Sequence, residues 1–145
     1  MDAEVFDLRN DLRAIERTVA TLVERGRAVG FDDDLLRLNL RVGLTEALAN
    51  AMLYGNNRDP RKHVRVEAEF SPRRIVIRVT DEGRGFDPDV VRDPTAPPNL
   101  HRSGGRGIFL IRKLMDRVEF NERGNSILMV LNSRPERARG RASGM

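Results

Sequence analysis

The chain has 145 residues, 39% of them hydrophobic and 33% charged, a composition that fits one soluble globular domain with a single core. It contains no cysteine and only two histidines, which excludes disulfides, thiolate metal sites and a multi-histidine metal centre. Aromatic residues make up 5% and tryptophan is absent, so a platform for stacking nucleic-acid bases is poorly supplied.

The net charge of +4 is concentrated at the carboxyl end of the chain. Residues 133–145 carry four arginines and one glutamate, and the rest of the chain is nearly neutral. We predict that residues 1–132 form the domain and that residues 133–145 form a solvated, disordered basic tail, with a nucleic-acid-binding arm as the alternative. We expect no direct nucleic-acid contact. The acidic amino end lacks a signal-peptide pattern and no apolar run approaches membrane length, so we expect a cytoplasmic protein without membrane contact.

The first predicted element is a helix with one narrow apolar seam. Its apolar residues recur at alternating spacings of four and three, and they are Leu8, Leu12, Ile15, Val19 and Leu22. Two glycines, at positions 26 and 30, mark the end of this helix. Packing in the core of the same chain and contact with a second copy both fit such a seam, so a homodimer through the first helix is one expectation.

A second helix is predicted over about residues 35–54, after three aspartates that supply an N-cap and before a Gly-Asn-Asn sequence that ends it. Glu46 and Asn50 are polar residues within this Leu- and Ala-rich helix. Their spacing of four puts them on one helix face, one turn apart. They form either a partly exposed polar edge or the wall of a site between helix and sheet.

The rest of the chain is predicted to form two hairpins and a third helix. Alternating polar and apolar residues pair 63–70 with 74–80, and 118–120 with 126–131. The third helix covers 107–115, and the proline-containing segment 91–103 has little periodicity, which predicts a mobile loop. This order indicates an α+β fold, a two-layer sandwich with helices on one face of a mixed, mostly antiparallel sheet.

Two groups of glycines indicate a nucleotide site. Asp81 ends a predicted strand and is followed by Gly83 and Gly85, and Gly104-Gly105-Arg106-Gly107 opens the third helix. A carboxylate at a strand end accepts a hydrogen bond from an amine, glycine lets a flat base approach the backbone, and bare N–H groups at a helix start bind phosphates. Each glycine group alone is a weak signal, and the phosphate-loop and dinucleotide fingerprints are both absent.

With Glu46 and Asn50 upstream, the set resembles the ATP-binding fold shared by DNA gyrase, heat-shock protein 90, histidine kinases and the MutL mismatch-repair proteins. Within that superfamily, the short chain and the sequence Gly-Arg-Gly-Ile-Phe-Leu-Ile-Arg-Lys-Leu-Met-Asp resemble the anti-sigma-factor serine-protein kinases of bacteria. The resemblance covers about residues 8–132 and leaves out the arginine-rich tail.

The resemblance implies a role for each residue near the base and the metal. Asn50 would bind Mg²⁺ together with phosphate oxygens and waters, and Glu46 would act as general base on an incoming serine hydroxyl or would position it. Asp81 would accept a hydrogen bond from the exocyclic amine of adenine, which selects ATP over GTP. Gly83 and Gly85 would border the base.

The resemblance also assigns the phosphate end of the site. Gly105 and Gly107 would donate N–H groups to the phosphates, and Arg106, between them, could reach the terminal phosphate. Gly104 belongs to the same glycine cluster and is a further candidate for this contact. Ser126 occupies a position where the family often has threonine near the adenine. Segment 91–103 would close over the nucleotide as a lid.

The function implied by the resemblance is that of an ATP- and Mg²⁺-dependent protein serine/threonine kinase acting as an anti-sigma factor. Such a protein holds a sigma factor inactive and phosphorylates a small antagonist protein, which regulates transcription. The alternative is a nucleotide-gated protein-binding module without phosphoryl transfer. A role in a histidine kinase pathway is disfavoured, because neither His63, beside a predicted strand, nor His101, in a loop, fits a phosphoacceptor helix.

Overall fold

Five strands and three helices make up the part of the chain that the computed structural model describes, residues 2–83 and 106–134. The strands are β1 (Asp2–Arg9), β2 (His63–Phe70), β3 (Arg74–Asp81), β4 (Arg117–Phe120) and β5 (Ser126–Asn132). The helices are α1 (Arg13–Ala28), α2 (residues 33–55) and α3 (Arg106–Leu114). No helix within the described ranges has the length and apolarity needed to cross a membrane.

The strands form one sheet in the order β1-β2-β3-β5-β4, and each neighbouring pair is antiparallel. Alternate residues of β2 and β3 are buried, so one face of the sheet is apolar. That face packs with α1, α2 and α3 in a single hydrophobic core. The predicted α+β sandwich is therefore confirmed, with a sheet that is antiparallel throughout its described strands.

Strand β1 was not predicted, and assigning Leu8 to the first helix was wrong. Leu8 lies in β1 opposite Val64 of β2, and helix α1 begins only at Arg13. Side chains of β1 alternate between half-buried and exposed positions, with Phe6 half-buried and Val5 exposed. The spacing of four between Leu8 and the next leucine therefore joins a strand to a helix and only imitates helical periodicity.

The apolar seam of α1 packs inside the chain's own core. Ile15, Val19 and Leu22 are all buried there, whereas Leu12, just before the helix, is exposed. Because the buried seam is already covered, a contact between two copies of the chain would need another surface of α1. Dimerisation itself stays a prediction.

Helix α2 is continuous, but after its α-helical start, Asp33–Leu35, its hydrogen-bond pattern changes three times. An α-helical segment, Arg41–Asn50, lies between two π-helical segments, Leu36–Leu40 and Ala51–Gly55. The predicted N-cap is confirmed, since the Asp32 carboxylate accepts the N–H of Asp34 at 3.0 Å. π-Helical turns often accompany functional positions, and the second of these ends beside β3.

The predicted hairpins and the third helix are confirmed to within a residue or two at each end. The β4–β5 turn includes Gly124 at φ 77°, a left-handed conformation that favours glycine. At the start of the predicted tail, the Ser133 N–H donates to the Arg73 carbonyl, and Arg134 pairs with Asp116 at 3.1 Å. The rest of the tail and the predicted loop 91–103 lie outside the described residues, and the proposed tail disorder stays a prediction.

Candidate functional site

Glu46 and Asn50 lie one turn apart on α2 and face the first turn of α3. A Cβ atom added to Gly107 would lie 2.9 Å from Nδ2 of Asn50 and 2.9 Å from Oε2 of Glu46. Both polar side chains therefore reach the amino end of α3. At that end the backbone N–H groups lack helical partners and the helix dipole is positive. The structure thus brings together three of the residues predicted from the sequence.

The amide of Asn50 is incompletely satisfied. Its Nδ2 atom is buried and has no hydrogen-bond partner among the described residues. Leaving such a group unpaired costs about 1–3 kcal/mol, so a buried polar atom of this kind points to a ligand or a water. The orphaned amide, which faces the first turn of α3, is therefore a candidate contact for a polar ligand.

The Asn50 amide oxygen suits a Mg²⁺ ion that takes most of its ligands from phosphates and waters and few from the protein. An asparagine oxygen is a hard ligand, and Mg²⁺ in phosphate sites commonly uses one or two protein oxygens with phosphates and waters. Within the described ranges, no three histidine, cysteine, aspartate or glutamate side chains gather into a metal cage. Asn50 fits such an ion as a single protein ligand, and a protein-only site is not formed by these residues.

Asp81, at the end of β3, lies against the carboxyl end of α2. A Cβ atom added to Gly55 would overlap the Asp81 carboxylate, and one added to Gly83 would overlap the Gly55 carbonyl oxygen. The N–H of Gly83 donates to Oδ1 of Asp81 at 2.7 Å. Glycine at both positions therefore allows the backbone to pack directly against the carboxylate.

Burial raises the pKa of Asp81 above its ordinary value, although the Gly83 N–H and the positive charges of Lys62 and Arg123 act in the opposite direction. A carboxylate can accept several hydrogen bonds, and each oxygen has two acceptor positions. A partly desolvated carboxylate of this kind gains from a further donor, such as the exocyclic amine of a purine.

Two asparagines that the sequence analysis did not single out hold the segment around Asp81. The backbone carbonyl of Asn125 accepts the Asp81 N–H at 2.9 Å, and the side-chain amide of Asn125 donates to the Asp81 carbonyl at 3.2 Å. Asn56 is fully buried, and its Oδ1 accepts the N–H of Glu82 at 2.7 Å. Both asparagines lie in turns, and a turn asparagine looks the same in sequence whether or not it also supports a site.

Ser126 lies on β5 opposite Thr80, and the two hydroxyl oxygens are 2.9 Å apart. Successive strand residues point to opposite faces, so Thr80 and Asp81 face opposite sides of the sheet. The structure therefore brings Ser126 to Thr80 and not to the Asp81 carboxylate. Its predicted place near the adenine stays a prediction.

Some of the predicted site lies outside the described residues. Gly85, Gly104 and Gly105 belong to this group, as does segment 91–103. The backbone of α3 is described from Arg106 onward, without that arginine's side chain. The roles assigned to these residues stay predictions.

Comparison with known proteins gives one family and a consistent set of relatives. Residues 8–131 match the family described as the histidine kinase-like ATPase domain. The chain is 34% identical over 96 residues to the anti-sigma F factor of Oceanobacillus iheyensis, which covers 62% of this chain and 65% of that protein. It is 29% identical over 120 residues to the serine-protein kinase RsbW of the same organism, covering 77% and 75%. The corresponding kinase of Listeria innocua is 28% identical over 107 residues, covering 69% and 68%.

Proposed function

The chain belongs to the histidine kinase-like ATPase domain family, and on that premise we propose that it is an ATP-dependent protein serine/threonine kinase acting as an anti-sigma factor. It would phosphorylate a small antagonist protein in the cytoplasm and thereby regulate a sigma factor. The names of the relatives support this proposal. The observation that carries it is the convergence of Glu46, the orphaned Asn50 amide and Gly107 at the amino end of α3.

The adenine end of the proposed site is formed by the Asp81 carboxylate and the two glycines packed against it. Asp81 accepts a hydrogen bond from the exocyclic amine of adenine. Guanine has a carbonyl oxygen at the corresponding position, which would face the carboxylate without a proton between them. Because residues 55 and 83 are glycines that lie against the Asp81 carboxylate, neither would place a side chain beside the ring.

The phosphate end of the proposed site is the first turn of α3. The N–H of Gly107 donates to a phosphate oxygen, assisted by the positive end of the helix dipole. Asn50 would hold Mg²⁺ through its amide oxygen, and the ion would neutralise charge on the phosphates.

In this proposal Glu46 receives the proton of the attacking serine. As the serine oxygen of the antagonist bonds to the terminal phosphorus of ATP, the bond from that phosphorus to ADP breaks. The hydroxyl proton passes to the Glu46 carboxylate. Positioning and charge neutralisation supply most of the catalysis in phosphoryl transfer, so one well-placed carboxylate is sufficient.

Replacing Glu46 with glutamine tests this assignment, since it keeps the shape of the side chain and removes the base. We expect Mg·ATP affinity, measured by calorimetry, to change by no more than about twofold. Transfer of radiolabelled phosphate to an antagonist protein encoded by a neighbouring gene should fall by about 10²- to 10⁴-fold. Glu69→Gln, at an exposed glutamate on β2, is the matched control and should change neither.

The two measurements separate the possible failures. Undiminished transfer by Glu46→Gln would remove Glu46 from the mechanism. Normal ATP binding by the wild-type chain without transfer to any neighbouring antagonist would instead favour a nucleotide-gated binding module.

A further inference from the structure

Asn56 is fully buried and follows directly after the last residue of α2. Its side-chain amide makes three hydrogen bonds. Nδ2 donates to the His63 carbonyl at 2.9 Å and to Oδ1 of Asn10 at 3.3 Å, and Oδ1 accepts the N–H of Glu82 at 2.7 Å. One short side chain therefore joins the end of α2, the start of β2 and the turn after β3.

These partners allow only one orientation of the Asn56 amide. An inverted amide would direct its NH₂ group at the Glu82 N–H and its oxygen at two acceptor oxygens. The orientation of Asn10 is set in the same way, because its Nδ2 donates to the carbonyls of Met52 and Asp59 at 3.2 and 3.0 Å. The Asn10 oxygen is thereby left to receive Asn56. The pair forms a directional network in which every contact matches a donor with an acceptor.

Asn56 ends α2 through its backbone N–H, but its side chain does not cap the helix. The carbonyl of Ala51 receives the backbone N–H of Asn56, and that of Met52 receives the N–H of Arg58 and the side chain of Asn10. The side chain of Asn56 has no bond to any carbonyl of the helix among its three contacts. Its bonds go to the sheet and to the Glu82 turn, so its role concerns the position of that turn.

The turn that Asn56 holds is the one that carries the adenine-binding carboxylate. Glu82 lies between Asp81 and Gly83, and Gly83 both donates to the Asp81 carboxylate and packs on the Gly55 carbonyl. Gly55 and Asn56 thus fix the turn from two successive positions, one by contact and one by a hydrogen bond. Asn125 holds the Asp81 backbone through two hydrogen bonds, and the His63 N–H donates to the Glu82 carboxylate. Loss of the Asn56 bond would therefore loosen the middle of the turn and shift the carboxylate, while the rest of the turn stays attached.

We propose that Asn56, oriented by Asn10, is a positioning residue of the adenine site, and that it sets the preference for ATP over GTP by fixing the Asp81 carboxylate. This role rests on the proposed function in that the ligand is ATP. The phosphate end of the site, around Asn50 and Gly107, is separate from the network and should be unaffected by it.

The test measures the affinities of the 145-residue chain for Mg·ATP, Mg·GTP and Mg·tripolyphosphate by calorimetry. In Asn56→Ala the Asp81 carboxylate is displaced, which weakens its hydrogen bond with the exocyclic amine of adenine. We therefore expect ATP affinity to fall by about tenfold or more and the ATP-to-GTP affinity ratio to fall by about fivefold. Tripolyphosphate affinity should stay within about twofold. The control is Ile75→Ala, a core truncation at the far end of β3, which lowers stability but should leave the ratio unchanged.

Asn10→Ala provides a second variant should Asn56→Ala fail to fold. It leaves the Asn56–Glu82 bond in place but frees the orientation of the Asn56 amide, so the ATP-to-GTP ratio should fall by about two- to threefold. An unchanged ratio in folded variants, or an equal loss for all three ligands, would overturn the role of Asn56 alone. A wild-type chain that binds no ATP would overturn the proposed function, and this role with it.

Discussion

Replacing Asp81 with asparagine tests the adenine end of the site with almost no change of shape. The Gly83 N–H, 2.7 Å from Oδ1, keeps an acceptor in the variant. The other oxygen becomes an NH₂ group, which would face the amine of adenine donor to donor. A hydrogen bond to a charged group is worth about 1.5–3 kcal/mol, and 1.4 kcal/mol corresponds to tenfold in affinity. We therefore expect Mg·ATP affinity to fall by about 10- to 100-fold or more.

The same variant should keep or gain stability, which separates loss of binding from loss of fold. Burial raises the folded-state pKa of Asp81, so its ionisation opposes folding. The protonated Asp81 carboxyl contributes favourably to the free energy of unfolding at acidic pH, and this contribution is lost as the pH rises through the raised folded pKa. Asparagine has no such loss. The difference in free energy of unfolding, Asp81→Asn minus wild type, should therefore become larger as the pH rises from about 3.5 to 7.

Calorimetry with Mg·ATP and urea unfolding at the two pH values check both parts. Wild-type affinity in the folded Asp81→Asn chain would remove Asp81 from the site. If Asp81→Asn instead became less stable relative to wild type as the pH rises to about 7, burial of the carboxylate would not oppose its ionisation. That result would contradict the raised pKa whatever the affinity for ATP.

Three further substitutions test close approaches and backbone conformation. Gly107→Ala places a Cβ atom 2.9 Å from Nδ2 of Asn50, so Mg·ATP affinity by calorimetry should fall about tenfold while the melting temperature changes little, because only flexible side-chain ends must move. Gly55→Ala directs a Cβ atom into the Asp81 carboxylate, so the free energy of unfolding in urea should fall by about 1–3 kcal/mol and ATP binding should weaken. Unchanged stability and affinity would show that the carboxylate can move aside without cost. Arg58→Gly relieves a left-handed residue at φ 59° and should raise the free energy of unfolding by about 0.5–1 kcal/mol, with a decrease speaking against strain there.

Strands β2 and β3 were predicted closely because each has one period throughout. β2 alternates strictly over residues 63–70 and has the same bounds in the structure. The first 22 residues contain two periods in succession, that of β1 and that of α1. An apolar residue at the end of β1, Leu8, continues the spacing of the helix that follows it. A strand is recognised there only through its partner β2, whose sequence lies more than fifty residues away.

The residue types at the site could be predicted, but its supports could not. Glu46 and Asn50 stand out as polar residues in an apolar helix, and Asp81 stands out as a carboxylate at a strand end followed by two glycines. The importance of Gly55 comes from its distance to Asp81, across 26 positions of chain, and Asn56 matters through three partners on other segments. Local spacing carries no information about such approaches, and both residues also have an ordinary interpretation as the end of a helix.

One helix carries residues for both ends of the proposed site, and its π-helical segment explains how. Glu46 and Asn50 face α3, while Gly55, five residues further on, contacts Asp81. In continued α-helical geometry Gly55 would be rotated by about 140° from Asn50. The wider π-helical turn, Ala51–Gly55, uses more residues per revolution and brings Gly55 back toward the face that bears Asn50. In the proposed site, the change of helix type would put the adenine end and the phosphate end on the same side of α2, where a single ligand extended along this helix would contact both.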